Sequence, residues 1–179
     1  MQYFFDLNFK VNTFAEIKLV FESPKVRYYS VRFSDKDLTE FGRFVMKHKD
    51  LIEIKDEYND LMSWIKVRLG IQKGAKEGFF RPEGAANALP PPHQWLDVDY
   101  NENLRVYCYR ISDHVVFLFN GGVKTKKSRT AQECKVIKPH FDSANKIVRA
   151  IDRAFQSKDI CLSEDQKELI ISPNFELEI

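Results

Sequence analysis

The stretch LRVYCYRISDHVVFLFNGGVKTKKSR, from Leu104 to Arg129, decides the fold. It holds two strand-like runs, a Gly-Gly break and a dense basic tail. Side chains alternate between the two sides of a strand. Val106 and Cys108 therefore share one face with Val116 and Leu118, while Arg105, Tyr107 and Tyr109 share the other with Phe117 and Phe119. The connection Ser112-Asp113-His114 is short enough for an antiparallel hairpin. Strands that bring arginine, tyrosine and lysine to one surface suit a polyanion, and RNA is the first choice.

Charge distribution supports this more than net charge does. The formal balance is only +2. Between Gly121 and His140, however, Lys124, Lys126, Lys127, Arg129, Lys135 and Lys138 are opposed by Glu133 alone. Such a local excess attracts phosphate and makes binding salt-dependent; the alternative is a solvated basic loop. Hydrophobic residues make up 44% of the chain and include fifteen phenylalanines, enough for a substantial core. The length of 179 residues suits a single domain. Cys108, Cys134 and Cys161 are widely spaced and form no CxxC or CxxH pattern, so a structural zinc site is not expected. Cys108 should pack as a small hydrophobe. MQYFFDLNFKVN lacks the basic n-region of a secretory signal, and no apolar run reaches about 18 residues. A cytoplasmic protein without a membrane partner is expected.

Working outward, Tyr3–Val11, Glu16–Glu22 and Val26–Phe33 are strand-like, with Ser23-Pro24-Lys25 turning between the last two. Ser34, three residues before Asp37, resembles a capping box ahead of a helix with a buried stripe of Leu38, Phe41, Val45 and His48, and Phe44 beside it. A second helix from Asp50 or Asp56 carries Tyr58, Leu61, Met62, Ile65 and Leu69, and Gly70 is placed to end it. The short link between them predicts a helical hairpin. Gly74–His93 is irregular, and its three consecutive prolines exclude helix and central strand. Trp95–Tyr100 resumes as a strand. Asp142 or Ser143 begins a third helix with Ala144, Ile147, Val148, Ile151 and Phe155 on one face, and Ile160–Leu162 and Leu169–Ile171 form a terminal hairpin.

Strand, helical hairpin, then three antiparallel strands is an order that resembles the RelE/ParE toxin superfamily, particularly its HigB-like branch. LRVYCYRIS, HVVFLFNGGVKTKK and the late helix through Ile147 and Ile151 carry the resemblance, which spans residues 26–156. FFRPEG (Phe79–Gly84), with Arg81 exposed by the adjacent proline, looks like a feature of a subgroup with this layout. The resemblance implies an α+β fold in which an antiparallel sheet packs against the helical hairpin. Residues 1–25 form an N-terminal extension and residues 157–179 a C-terminal tail. Thr125 interrupts the family's double lysine, and Ala131–Phe141 is inserted before the last helix.

The same resemblance implies a type II toxin that cleaves messenger RNA at the ribosome without metal or cofactor, and a small antitoxin partner, often with a helix-turn-helix domain. The ribose 2′-hydroxyl attacks the adjacent phosphate, a reaction that depends on positioning and charge stabilisation. Arg105 would clamp phosphate oxygens. Lys124, Lys126 and Lys127 would add charge or exchange protons, with His140 as acid or base. Arg81 and Arg129 would bind RNA, and Tyr107 or Tyr109 would stack an unpaired base. Each has a structural alternative: Arg105 and Arg110 paired with carboxylates on neighbouring strands, Tyr107 and Tyr109 half-buried in the sheet, His114 solvated in its turn, His140 capping the helix, and His48 packed in the core. Asp97 and Asp99 suit an outward strand face better than a carboxylate dyad. The rival function is a non-catalytic binding module on the same fold, either a ParE-like inhibitor of a protein target or an RNA-binding mobile-element protein.

Overall fold

The computed structural model describes residues 13–91, 103–125 and 134–179. The hairpin read from Leu104–Arg129 is present as β5 (Leu104–Arg110) and β6 (Val115–Val123). It lies at the centre of a seven-stranded sheet with order β3-β4-β5-β6-β2-β1-β9. The other members are β1 (Phe14–Glu22), β2 (Arg27–Phe33), β3 (Arg81–Glu83), β4 (Ala86–Leu89) and β9 (Leu177–Glu178). A separate hairpin pairs β7 (Ile160–Leu162) with β8 (Leu169–Ile171), as the sequence predicts. The fold class is α+β, but the sheet is mixed: β2 pairs with β6 in parallel, Arg27 to Tyr29 against Val115 to Phe117. Two helices intervene between these strands, and a crossover of that kind allows a parallel return.

Alternation along β5 and β6 divides the core in two. Val106, Cys108, Val116 and Leu118 pack with Tyr28 against the helical hairpin. Tyr107, Phe117 and Phe119 pack with Tyr29 and Val31 on the opposite side. That opposite face, expected to be open, is covered by α3 (Lys138–Gln156) through Ile147, Val148 and Ile151. Both faces of the central strands are therefore buried, which explains their almost unbroken run of apolar residues.

The helical hairpin consists of α1 (Glu40–His48) and α2 (Lys55–Ser63), the latter continuing in wider π-type turns through Trp64–Lys73. Thr39, not Ser34, caps α1: its side chain accepts from the Gly42 amide at 3.0 Å. Leu38 consequently lies outside the helix and is exposed, while Phe41, Phe44 and His48 are buried. Leu61, Ile65 and Leu69 are fully buried, each stabilising the fold by about 1.5–3 kcal/mol. Their four-residue spacing drifts sideways around a 3.6-residue helix, and the wider turn reduces that drift. Gly70 does not end the helix. A Cβ there would lie 2.6 Å from Ser23 Oγ, so glycine lets the helix pass close to the β1–β2 turn. Gly74, with φ of 76°, follows the last turn instead.

Two strands, β3 and β4, occupy the segment expected to be irregular, and β4 is the neighbour of β5. The strand expected at Trp95–Tyr100 and the one at Tyr3–Val11 lie outside the described residues. The third helix begins at Lys138, ahead of the expected Asp142 or Ser143, with proline in its first turn where a missing N–H costs nothing. β1 pairs with both β2 and β9, so residues 14–22 belong to the main sheet. Among the described residues, no helix is long and apolar enough to cross a membrane.

Candidate nucleic-acid interface

Apart from Arg81, the residues expected to form an RNA-binding face divide into three groups. Arg105, Tyr107 and Tyr109 are drawn under α3. The Arg105 guanidinium donates to Glu83 at 3.0 Å, and its side chain is only 7% exposed. Tyr107 is fully buried, with its ring edge-on to Phe141, so it offers no face to a base. Tyr109 is half-buried and donates its hydroxyl to Asp152 on α3 at 2.6 Å. Burial, then the neighbouring carboxylate, raises the pKa of each phenol: Glu83 for Tyr107 and Asp152 for Tyr109. These three residues serve packing and pairing.

Arg81 is not exposed by its proline; it is half-buried and donates to the Pro91 carbonyl at 3.4 Å. The FFRPEG segment instead builds the β3–β4 hairpin, which Asn145 of α3 holds in place. Asn145 Oδ1 accepts from the Ala85 and Ala86 amides at 2.5 and 3.3 Å, and Nδ2 donates to the Glu83 and Phe141 carbonyls. Gly84, with φ of 74°, completes the turn; a Cβ would lie 2.4 Å from Asn145 Oδ1. Arg110 donates to the Ala75 carbonyl and to Asp113, and His114 Nδ1 donates to the Lys25 carbonyl at 2.8 Å. His114 lies partly exposed in its turn, as expected, and this hydrogen bond ties it to the β1–β2 turn. Cys108 is buried as expected, and burial pushes its thiol pKa up.

The second group stays near the end of β6. The bulge between Val106 and Cys108 changes the β5–β6 register, a device that often redirects a strand beside a site. Gly121 is required there, because a Cβ would meet the Arg105 carbonyl oxygen at 1.9 Å. Gly122 faces His140, whose Cδ2 would lie at an ordinary contact distance of 3.6 Å from an added Cβ. Lys124 follows, half-buried, with its amide donating to the Asn103 carbonyl at 2.6 Å. Lys126, Lys127 and Arg129, the third group, lie outside the described residues.

His140 has neighbours that the sequence did not identify. Burial lowers its pKa to about 4, reinforced by Lys47, Arg43 and His48 of α1. His140 is thus a neutral ring at neutral pH. His48 is buried and donates from Nδ1 to the Phe44 carbonyl at 2.8 Å; its pKa is lowered chiefly by burial. Arg43 donates to Glu40 at 2.6 Å, and Lys47 is exposed. Nearby, burial alone would raise the Cys134 thiol, but hydrogen bonds from Thr125 and Ile137 outweigh it and bring the pKa to about 7. The sequence analysis did not single out Arg43 or Lys47, whose charges act on His140 only in the folded chain.

This site combines anion-attracting charge with an uncharged proton acceptor. Among the described residues, no group of three or more histidine, cysteine, aspartate or glutamate side chains is arranged to hold a metal. Comparison of the chain with protein-family models, characterised proteins and solved structures finds no match.

Proposed function

We propose that this chain is the toxin of a toxin–antitoxin pair, a RelE-like endoribonuclease that cleaves messenger RNA without a metal. The observation that carries this reading is His140, which lies close to Gly122 at the end of β6 and whose pKa is lowered to about 4 by burial and then by the charges of Lys47 and Arg43. An uncharged imidazole accepts a proton, and flanking cations stabilise charge developing on phosphorus. The order β2, helical hairpin, β5 and β6 also supports it, because it is part of the order on which the resemblance to the superfamily rests. A small antitoxin with acidic groups would complement the basic end of β6. The ribosome would present the message.

Burial of Arg105 and Tyr107 favours a second reading, in which the same fold binds a target without cleaving it. Mapping RNA ends in cells after a brief induced pulse separates the two. New codon-linked ends with the wild type, absent with His140→Gln at equal protein level, support the nuclease. Intact messages during growth arrest support the binding module.

A further inference from the structure

The helical hairpin and the β1–β2 turn enclose a cleft that has no part in the site described above. Its volume is about 530 Å³, within the range usual for small-molecule sites. Phe21 of β1, Phe41 and Val45 of α1, Tyr58 and Met62 of α2, and Ile71 of the π-type turns line it. Its rings are held by their neighbours: Phe21 stacks on buried Tyr28 at 4.4 Å and lies 6.3 Å from Phe41. Ser23, also in the lining, is the residue that Gly70 allows the π-type turns to approach closely. Turns of this type recur at functional sites. Met62 adds a side chain that adapts to the shape of a ligand, and Ile71 is left 51% exposed.

Two charged side chains also line the cleft, and only one has an ionic partner. Glu22 accepts from Arg27 at 2.9 Å. Lys66 makes no ion pair among the described residues, and its ammonium lies 5.9 Å from the centre of the Phe21 ring. Tyr58, Met62 and Lys66 follow one another at four-residue spacing, so they form one wall about 12 Å long with the charge at its end. An apolar cleft that ends in one uncompensated cation suits an apolar chain with a single negative head. A peptide would bring backbone amides and carbonyls that need hydrogen-bond partners, whereas an alkyl chain brings none.

We propose that this cleft binds a medium-chain fatty acid, with the alkyl chain along Met62 and Tyr58 and the carboxylate on Lys66. The assignment goes beyond the nuclease reading and stands without it. Burial of the alkyl chain supplies most of the affinity. Lys66 selects the head group, because a cationic head on the same chain would meet a like charge.

Isothermal titration calorimetry of the full chain with decanoate, kept below its micelle concentration, tests this. Saturable binding is expected, about tenfold weaker in Lys66→Met, which keeps an apolar stem and removes the charge. Decyltrimethylammonium carries the same chain on the opposite head. It should bind the wild type about tenfold more weakly than decanoate and bind Lys66→Glu better than the wild type. Lys66 is exposed, so both variants should keep the wild-type circular dichroism. Methyl NMR locates the ligand: the Met62 signal, assigned with Met62→Leu, should move with decanoate. The signal of Met46, exposed on α1 and outside the cleft lining, should stay in place. Absence of saturable binding, equal binding of the two head groups, binding indifferent to Lys66→Met, or an unmoved Met62 methyl each overturns the assignment.

Discussion

Arg105 on β5 donates to Glu83 on β3 at 3.0 Å, and α3 leaves both side chains largely hidden from solvent. A paired guanidinium in such a place is costly to disturb, because removing one partner leaves the other charge buried without compensation. Arg105→Ala should therefore destabilise the protein by about 3–5 kcal/mol, with Glu83→Ala similar. Arg105→Met combined with Glu83→Leu should cost clearly less, since no lone charge remains. Urea denaturation of the four proteins checks this. If Arg105→Ala is as stable as the wild type, the pair contributes little and the arginine becomes available for another role.

The adjacent glycines at the end of β6 have different constraints. An added Cβ at Gly121 would overlap the Arg105 carbonyl at 1.9 Å, while at Gly122 it would reach His140 Cδ2 at an ordinary 3.6 Å. Gly121→Ala should lose about 3 kcal/mol through forced backbone movement, and Gly122→Ala less than about 1 kcal/mol. Thermal melts of the two variants, compared side by side, decide this. Equal losses would mean that the β5–β6 register does not depend on the first glycine.

Tyr107 has a buried hydroxyl with no hydrogen-bond partner among the described residues. An unsatisfied buried hydroxyl costs about 1–3 kcal/mol, so Tyr107→Phe should leave stability unchanged or raise it by up to about 1–2 kcal/mol. Differential scanning calorimetry gives the sign. A loss of about 1 kcal/mol or more would mean that the hydroxyl has a partner worth keeping.

The sequence revealed the β5–β6 hairpin because its alternation is regular and its turn short. It also placed β2, the helical hairpin and the C-terminal β7–β8 pair. It missed β3 and β4, whose sequences RPE and ANAL combine proline, alanine and asparagine. Such residues have weak strand preferences, and their places in the sheet depend on Asn145 and Arg105, distant in sequence. The interface was harder to read for a related reason. Arg105, Tyr107 and Tyr109 do share one face, but alternation cannot tell whether a helix will cover that face. His140 drew attention through its position ahead of a helix. The influence of Arg43 and Lys47 on its charge comes from tertiary packing, which local sequence does not encode.

The position of His140 also links folding to pH. Burial and then Lys47 and Arg43 bring its pKa to about 4, below the ordinary histidine value of about 6.5. Between those values the unfolded chain binds a proton that the folded protein refuses, so stability rises with pH. The contribution is complete above about pH 6.5 and is lost as pH falls toward 4. For a half-exposed ring, solvent screening reduces its size to on the order of 1–2 kcal/mol. His48 is shifted in the same direction, mainly by burial, and adds to the slope. Urea denaturation of wild type and His140→Gln between pH 4 and pH 7 isolates the term from the carboxylates, which titrate in both. The wild type should gain more stability than the variant as pH rises through this window. Parallel curves would place the ring in an environment that accepts a proton normally, and the neutral acceptor proposed for RNA cleavage would lose its basis.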